Sequence, residues 1–129
     1  MPDASVMLNK LSKSKFRSSF HLRKYMISYI QKNGLEKIEE HARDLIIKKI
    51  GVMPLNDGKQ TPLKAHPVFI AMHATGFCCR KCLFKWYGIK IDRPLTNDEV
   101  NFLVKIVMMW IKIEYNEKIN MWRFSISIF

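Results

Sequence analysis

Apolar residues recur at intervals of three and four positions over most of the chain, and this spacing predicts helices. One helix is predicted over residues 21–32, stopped by Gly34, and a second from Leu35 to about Ile50. The apolar stripes of these two helices consist of Leu22, Tyr25, Met26, Tyr29 and Ile30, and of Leu35, Ile38, Ala42, Leu45 and Ile46. Each helix is therefore expected to bury one face against a common core.

The best-marked helix start lies near the C-terminal third of the chain. Thr96-Asn97-Asp98-Glu99 is typical of a capping box, in which the Thr and Glu side chains each bind the other residue's backbone N–H. The stripe that follows consists of Val100, Leu103, Val104, Val107, Met108 and Ile111. From residue 121 onward the apolar residues alternate instead, at Trp122, Phe124, Ile126 and Ile128. Alternation indicates a short strand or a packed extension.

The middle of the chain has weaker periodicity. Residues 54–67 hold three prolines and the turn sequence Asn56-Asp57-Gly58, which predicts a long irregular loop. A third helix is predicted to begin at Pro67, a favoured first helical position, and to run towards Gly76. Residues 82–87 are predicted to add one or two helical turns.

These elements predict an all-α fold of four to five helices around one core. A chain of 129 residues is of the size of a single domain. We assign that domain to residues 20–129 and expect residues 1–19 to form a basic arm, in contact with the core only through Leu8, Leu11 and Phe16. The loop over residues 54–67 and the His/Cys segment after it are expected on one side of the bundle.

The chain is strongly basic, with 22 Lys+Arg against 11 Asp+Glu and a formal net charge of +11. Such a charge attracts nucleic acid, phosphorylated ligands, anionic membrane surfaces or acidic proteins, although it also serves solubility alone. Aromatic residues interleave with the basic ones at Phe77, Phe84, Trp86 and Tyr87, a mixture that suits single-stranded nucleic acid. The alternative to nucleic-acid binding is that these aromatic residues are buried in the core, and we prefer this alternative for Phe77 and Trp86. The predicted phosphate contacts are Arg17, Arg23, Lys59, Arg80, Lys81 and Lys85.

Histidines and cysteines concentrate in one short segment. Cys79 and Cys82 have the C-x-x-C spacing with which two thiolates bind one ion, and His66 and His73 offer nitrogen ligands. The sequence therefore predicts a zinc site at these four residues, which His41 could join. The alternative is an ordinary set of buried thiols and hydrogen-bonded histidines.

Cysteine chemistry without metal is a further alternative. A histidine beside Cys78 or Cys79 would favour a nucleophilic thiolate, but no strand precedes the C-x-x-C pair as in thioredoxin-like redox proteins. We leave the catalytic residues unassigned and expect a binding protein rather than an enzyme.

The cellular location is predicted from the same features. The three cysteines lie within five positions, and the first residues lack the apolar core of a secretory signal. The longest apolar stretch, 102–113, is interrupted by Lys105 and Lys112 and is shorter than the ~20 residues of a spanning helix. We therefore expect a cytoplasmic protein with no membrane partner.

Several segments together resemble a known family. They are Asn56-Asp57-Gly58-Lys59-Gln60-Thr61-Pro62, His66-Pro67-Val68-Phe69-Ile70-Ala71, His73-Ala74-Thr75 and Cys78-Cys79-Arg80-Lys81-Cys82-Leu83. They are similar to the small bacterial and phage proteins of domain-of-unknown-function family 4186, and the likeness extends from about Ser14 to Ile111. In that family a His usually follows the Lys-Trp pair, whereas this chain has Tyr87. The resemblance implies no activity, and it puts in doubt any metal site that needs that His.

The sequence thus predicts a small basic nucleic-acid-binding module without catalysis of its own. The bacterial and phage distribution implied by the resemblance adds an alternative, a phage-borne protein that inhibits a bacterial defence nuclease in the manner of an anti-CRISPR protein. The His/Cys segment adds another, a metal-dependent hydrolase or nuclease.

Overall fold

The computed structural model describes the backbone of residues 2–128 and the side chains of residues 2–123. Six helices form the fold: α1 (Ala4–Ser12), α2 (Lys24–Asn33), α3 (Leu35–Ile50), α4 (Pro67–Ala74), α5 (Arg80–Tyr87) and α6 (Asn97–Ile128). A short 3-10 turn at Arg17–Ser19 lies between the first two. No strand occurs among residues 2–128, and the all-α prediction is confirmed.

Helix α6 is the centre of the bundle, and α1, α3 and α4 all pack against it. Leu103, Ile106 and Ile111 on its inner face are completely buried. The predicted capping box is present: the Thr96 amide donates to the Glu99 carboxylate (2.9 Å) and the Glu99 amide donates to the Thr96 hydroxyl (3.1 Å). Two of the otherwise unpaired N–H groups at the helix start are satisfied in this way.

Residues 121–128 continue α6, so a strand over this segment is a wrong prediction. A strand satisfies its backbone groups only against a partner, and the rest of the described chain is helical or irregular. Adding residues to an existing helix provides those hydrogen bonds within the segment. The side chains of the other three alternating residues, Phe124, Ile126 and Ile128, lie outside those described. Neither α6 nor another helix of the described chain is long and apolar enough to cross a membrane.

The N-terminal residues contribute to the core. Asp3 caps α1 by accepting the amide N–H of Ser5 (2.8 Å), and Ala4, Met7 and Leu11 are buried. Of the residues expected to contact the core from an arm, Leu11 is buried and Leu8 partly buried, whereas the Phe16 side chain is 61% exposed. Helix α1 thus presents its apolar side to α6, which places the 3-10 turn beside α4.

Candidate metal centre

The three cysteines surround the start of α5. Cys79 is the N-cap residue of this helix, and its Sγ accepts the amide N–H of Cys82 (3.4 Å). The first amides of the helix are also satisfied from the preceding loop, because the Asp57 carboxylate accepts the N–H groups of Arg80 and Lys81, both at 2.9 Å. The loop over residues 51–66 therefore caps the start of α5, around which the three cysteines lie.

We call Cys78, Cys79 and Cys82 the cysteine cluster. Their Sγ atoms all lie within 4.8 Å of one another, and those of Cys78 and Cys82 are 3.8 Å apart. A tetrahedral zinc ion with Zn–S bonds of about 2.3 Å separates its sulfur ligands by about 3.8 Å. The Cys78–Cys82 distance thus equals one edge of a zinc–sulfur tetrahedron, and the cluster has three donors suited to a metal ion.

A buried arginine from the 3-10 turn binds the same sulfurs. The Arg17 guanidinium donates to Cys82 Sγ (3.3 Å) and Cys78 Sγ (3.7 Å), and to the backbone carbonyl of His73 (2.7 Å). The residue is only 7% exposed. A cation in this position stabilises thiolates, which are the form of cysteine that binds metals.

The cysteine pKa values follow from these contacts. The hydrogen bond with Cys82 and the contact with Arg17 together lower the pKa of Cys78 to about 7, against the opposing effect of burial. The same hydrogen bond, together with burial, raises the pKa of Cys82, and burial raises that of Cys79. One negative charge is therefore favoured at the Cys78–Cys82 pair, and a metal ion would have to displace the remaining protons.

His73 lies beside this cluster but outside the three-donor group. Its Nε2 is within hydrogen-bond distance of the carbonyl oxygens of Thr61 (3.0 Å) and Pro62 (3.2 Å), so Nε2 carries the proton. Burial lowers the pKa of His73, and the ring has an electrostatic interaction with Cys82. Its Nδ1 therefore has a free lone pair, in the arrangement that a backbone carbonyl gives to many metal-binding histidines.

His66 does not join the cysteines, so the predicted set of His66, His73, Cys79 and Cys82 is not brought together. Its Nε2 lies 3.0 Å from Nδ1 of His41, whose Nδ1 is also 3.3 Å from the Tyr29 hydroxyl. As N-cap of α4, His66 accepts the Val68 N–H on Nδ1 (3.0 Å), so the neutral ring carries its proton on Nε2 and donates it to His41. Both nitrogens of His66 are occupied, which leaves no lone pair for a metal.

This histidine pair makes stability depend on pH. Burial, followed by the charge of nearby His41, lowers the pKa of His66 to about 4 from 6.5. The unfolded chain then binds a proton at higher pH than the folded chain, so this contribution to stability is complete above about pH 6.5 and is lost as the pH falls towards 4. His66→Asn, which keeps an N-cap acceptor but does not titrate, should flatten this fall in urea unfolding measured across that range. Equal slopes for both proteins would contradict the assignment.

Arg80, predicted to contact phosphate, lies in the protein interior with 0% exposure. Its guanidinium donates to the backbone carbonyls of Ile50 (3.3 Å), Lys90 and Arg93 (3.0 Å). These carbonyls belong to the end of α3 and to the connection before α6, so Arg80 joins two segments that flank α5. A side chain in this position cannot reach a bound polymer, and the prediction for Arg80 is wrong.

The other predicted phosphate contacts have different environments. Arg23, Lys59, Lys81 and Lys85 are exposed, while Arg17 is buried against the cysteines. Of the interleaved aromatic residues, Phe77 and Tyr87 are buried and Trp86 is partly buried, whereas Phe84 is 56% exposed. The Lys10 and Lys85 ammonium groups both lie 5.9 Å from the centroid of the Trp86 ring.

Sequence reasoning missed Cys78 as a ligand candidate and Arg17 as its partner. The spacing of Cys78 and Cys82, four residues apart at a helix start, was a usable signal, because such residues face the same side. The contact of Arg17 spans 61 positions to Cys78 and 65 to Cys82, and local sequence gives no indication of it.

Comparison with known proteins supports the resemblance already noted. No solved structure matches the chain. The position where the resemblance implies a His is occupied by the buried Tyr87, whose hydroxyl donates to the Thr75 carbonyl (2.5 Å). The family model described as a domain of unknown function (DUF4186) matches residues 5–112, most of the chain, and the chain therefore belongs to that family.

Proposed function

We propose that this chain is a small nucleic-acid-binding module without catalysis of its own, stabilised by a zinc ion at the cysteine cluster. The observation that carries the proposal is a separation of charge along the chain. Asp and Glu are absent between Asp3 and Glu36, and again between Asp57 and Asp92. These two acid-free segments hold Lys10, Lys13, Lys15, Arg17, Arg23, Lys24, Lys32, Lys59, Lys64, Arg80, Lys81, Lys85 and Lys90.

The fold packs the two acid-free segments against each other. Arg17 of the first segment binds the sulfurs of the second, and Lys10 of the first lies over Trp86 of the second. Basic residues of the two segments are thus neighbours in the fold, and the carboxylate beside Lys81 is Asp57. A concentrated positive surface attracts a polyanion more strongly than the same charge spread evenly.

We define the basic face as Lys10, Lys59, Lys81, Phe84 and Lys85. Lys81 and Lys85 are one helical turn apart on α5, and Lys59 is two residues from Asp57, which caps that helix at Lys81. Phe84 exposes 56% of its surface between the two lysines. Ammonium groups that neutralise phosphates, next to a ring on which a base can stack, favour single-stranded nucleic acid.

Zinc suits this site for two reasons. The donor set is sulfur-rich, and Arg17 favours the thiolate form that the ion requires. Three thiolates leave a tetrahedral ion one ligand short, and we assign the fourth position to His73, whose ring interacts electrostatically with Cys82. The metal would fix the start of α5 and thereby the lysines of the basic face.

Charge reversal on α5 tests the proposed surface. Lys81→Glu/Lys85→Glu should weaken binding to a labelled single-stranded oligonucleotide at least tenfold and reduce the salt dependence by about two phosphate contacts, because two ammonium groups are replaced by carboxylates. Fluorescence anisotropy measures both quantities. The matched control is Lys105→Glu/Lys112→Glu, which changes the net charge equally at exposed positions of α6.

The two variants distinguish a specific surface from net charge. The affinity of the control variant for the oligonucleotide should fall less than threefold, since its two lysines lie outside the basic face. An equal loss in both variants would show that only the overall charge of +11 matters, and an unchanged affinity in the α5 variant would refute the basic face.

A further inference from the structure

A pocket with apolar walls lies between α1, the 3-10 turn and α6, and Arg17, which binds the cysteine sulfurs, also lines it. Its volume is about 280 Å³, and its apolar lining consists of Leu8, Leu11, Phe20, Ala74, Trp110 and Ile113. A closed apolar cavity of roughly 150 Å³ holds one benzene molecule, so this space accommodates a single ring with a short chain. Small-molecule sites have such apolar walls and a few polar groups that fix orientation.

The polar end of the pocket is a nearly buried carboxylate. Glu114 is 6% exposed and lines the pocket from α6. Its Oε1 accepts the Leu22 amide N–H (3.1 Å) and lies 2.9 Å from Nδ1 of His21. Its Oε2 has no hydrogen-bond partner among the described residues. The buried unpartnered side-chain atoms of the described residues are Arg80 Nε and Trp86 Nε1, so Oε2 is reached by solvent in the pocket. A ligand cation can replace that water with a charge-assisted hydrogen bond.

The other charged groups around the pocket leave it negative. Glu117, one turn further along α6, adds a second carboxylate. The terminal nitrogens of Arg17 are already bound to the cysteine sulfurs and to the His73 carbonyl. The His21 side chain is 62% exposed and is bound to Oε1. The lining thus has two carboxylates against one guanidinium that is already hydrogen-bonded, which favours a cation over an anion.

We propose that the pocket binds a small primary amine with an aromatic or branched aliphatic body. The ammonium group donates a charge-assisted hydrogen bond to Oε2 of Glu114, with Glu117 nearby. The apolar body packs between Leu11, Phe20 and Trp110. A neutral alcohol of the same shape supplies a hydrogen bond without the charge, and a carboxylate is repelled.

Calorimetric titration of the intact chain with 2-phenylethylamine, 2-phenylethanol and 3-phenylpropionate tests this assignment. The amine should bind at least tenfold more tightly than the alcohol, because a charge-assisted hydrogen bond exceeds a neutral one by about that factor. Glu114→Gln keeps an acceptor for the Leu22 amide but removes the charge, so it should abolish the preference for the amine. Glu39→Gln, at an exposed position of α3, is the control.

A second variant keeps the test independent of folding at Glu114. Ser12→Lys introduces an ammonium group at an exposed position of the pocket lining, where it competes for the carboxylates. This variant should weaken binding of the amine and leave the affinity for the alcohol unchanged. Equal affinities for amine and alcohol in the unmodified chain, an amine affinity that neither variant changes, or absence of binding at millimolar amine would each overturn the proposal.

Discussion

Replacing Arg80 by Ala is expected to lower the free energy of unfolding by about 3–5 kcal/mol, which is a large share of the stability of a domain. The substitution removes the donor of three backbone carbonyls, at Ile50, Lys90 and Arg93, and leaves a cavity in place of a completely buried side chain. Each unpaired buried acceptor costs about 1–3 kcal/mol. Urea unfolding followed by tryptophan fluorescence measures the change.

The matched control is Lys81→Ala, one position along the chain and exposed. We expect its stability to change by less than about 0.5 kcal/mol, as is usual for surface substitutions. The loss of stability in Arg80→Lys should lie between those of Arg80→Ala and Lys81→Ala, because one ammonium group cannot reach three carbonyls. If Arg80→Ala unfolds like the unmodified chain but loses nucleic-acid binding, the side chain is a surface contact and its assignment to the interior is wrong.

Removing zinc should lower the thermal midpoint by on the order of 10 °C. A ligand held at a free concentration 1,000 times its dissociation constant stabilises a fold by about 4 kcal/mol, and each kcal/mol corresponds to a few degrees in a domain of this size. Thermal unfolding with zinc and with a chelator gives the shift directly. Cys82→Ser should abolish it, because the variant lacks one of the three clustered sulfurs.

The histidines separate the structural assignment from the one predicted from sequence. His66→Asn should retain the full zinc response, since both nitrogens of His66 are already bonded within the protein. His73→Gln should weaken the response without abolishing it. Titration with Co²⁺ adds a spectroscopic reading, in which sulfur ligands produce thiolate-to-metal charge-transfer absorption. Loss of the zinc response in His66→Asn, or its persistence in Cys82→Ser, would refute the cysteine-cluster site.

The sequence predicted the features that depend on neighbouring residues. The stripes of α3 and α6 and the capping box at Thr96 are local patterns, and they are present. In α2, Met26 and Ile30 are buried as predicted, whereas Tyr25 is 50% exposed and Ile27 is buried instead. Residues 121–128 show the limit of such reasoning. Four alternating apolar residues have no strand partner within residues 2–128, so the existing helix continues through them.

The candidate site was only partly predictable, because its essential contacts are distant in sequence. Arginines are mostly exposed, which made Arg80 look like a surface contact, and its three carbonyl partners lie 10 to 30 positions away. His66 was predicted as a ligand from its proximity to the cysteines. Because Pro67 favours the first position of a helix, the residue before it, His66, is the N-cap. As the cap, His66 uses Nδ1 to accept the Val68 N–H, and that nitrogen is then not available to a metal.

Two alternatives predict different results for the same chain. An inhibitor of a bacterial defence nuclease would form a stoichiometric complex with that enzyme and bind free nucleic acid weakly. A His/Cys hydrolase would show turnover that chelation or Cys79→Ser abolishes. Both experiments can be done with the protein used for the zinc titration, with Lys81→Glu/Lys85→Glu as the variant that affects the basic face alone.

The most direct test of the proposed function is the affinity for labelled single-stranded DNA and RNA over a series of salt concentrations. Four lysines of the basic face predict a linear fall of log affinity with log salt and a slope of about −3, since each phosphate neutralised on a single strand contributes about −0.7. Between 50 and 200 mM salt the affinity should then fall by roughly 60-fold. A slope near zero, or a dissociation constant no tighter than the weak limit of nonspecific binding at ~0.1 mM, would contradict the nucleic-acid-binding module.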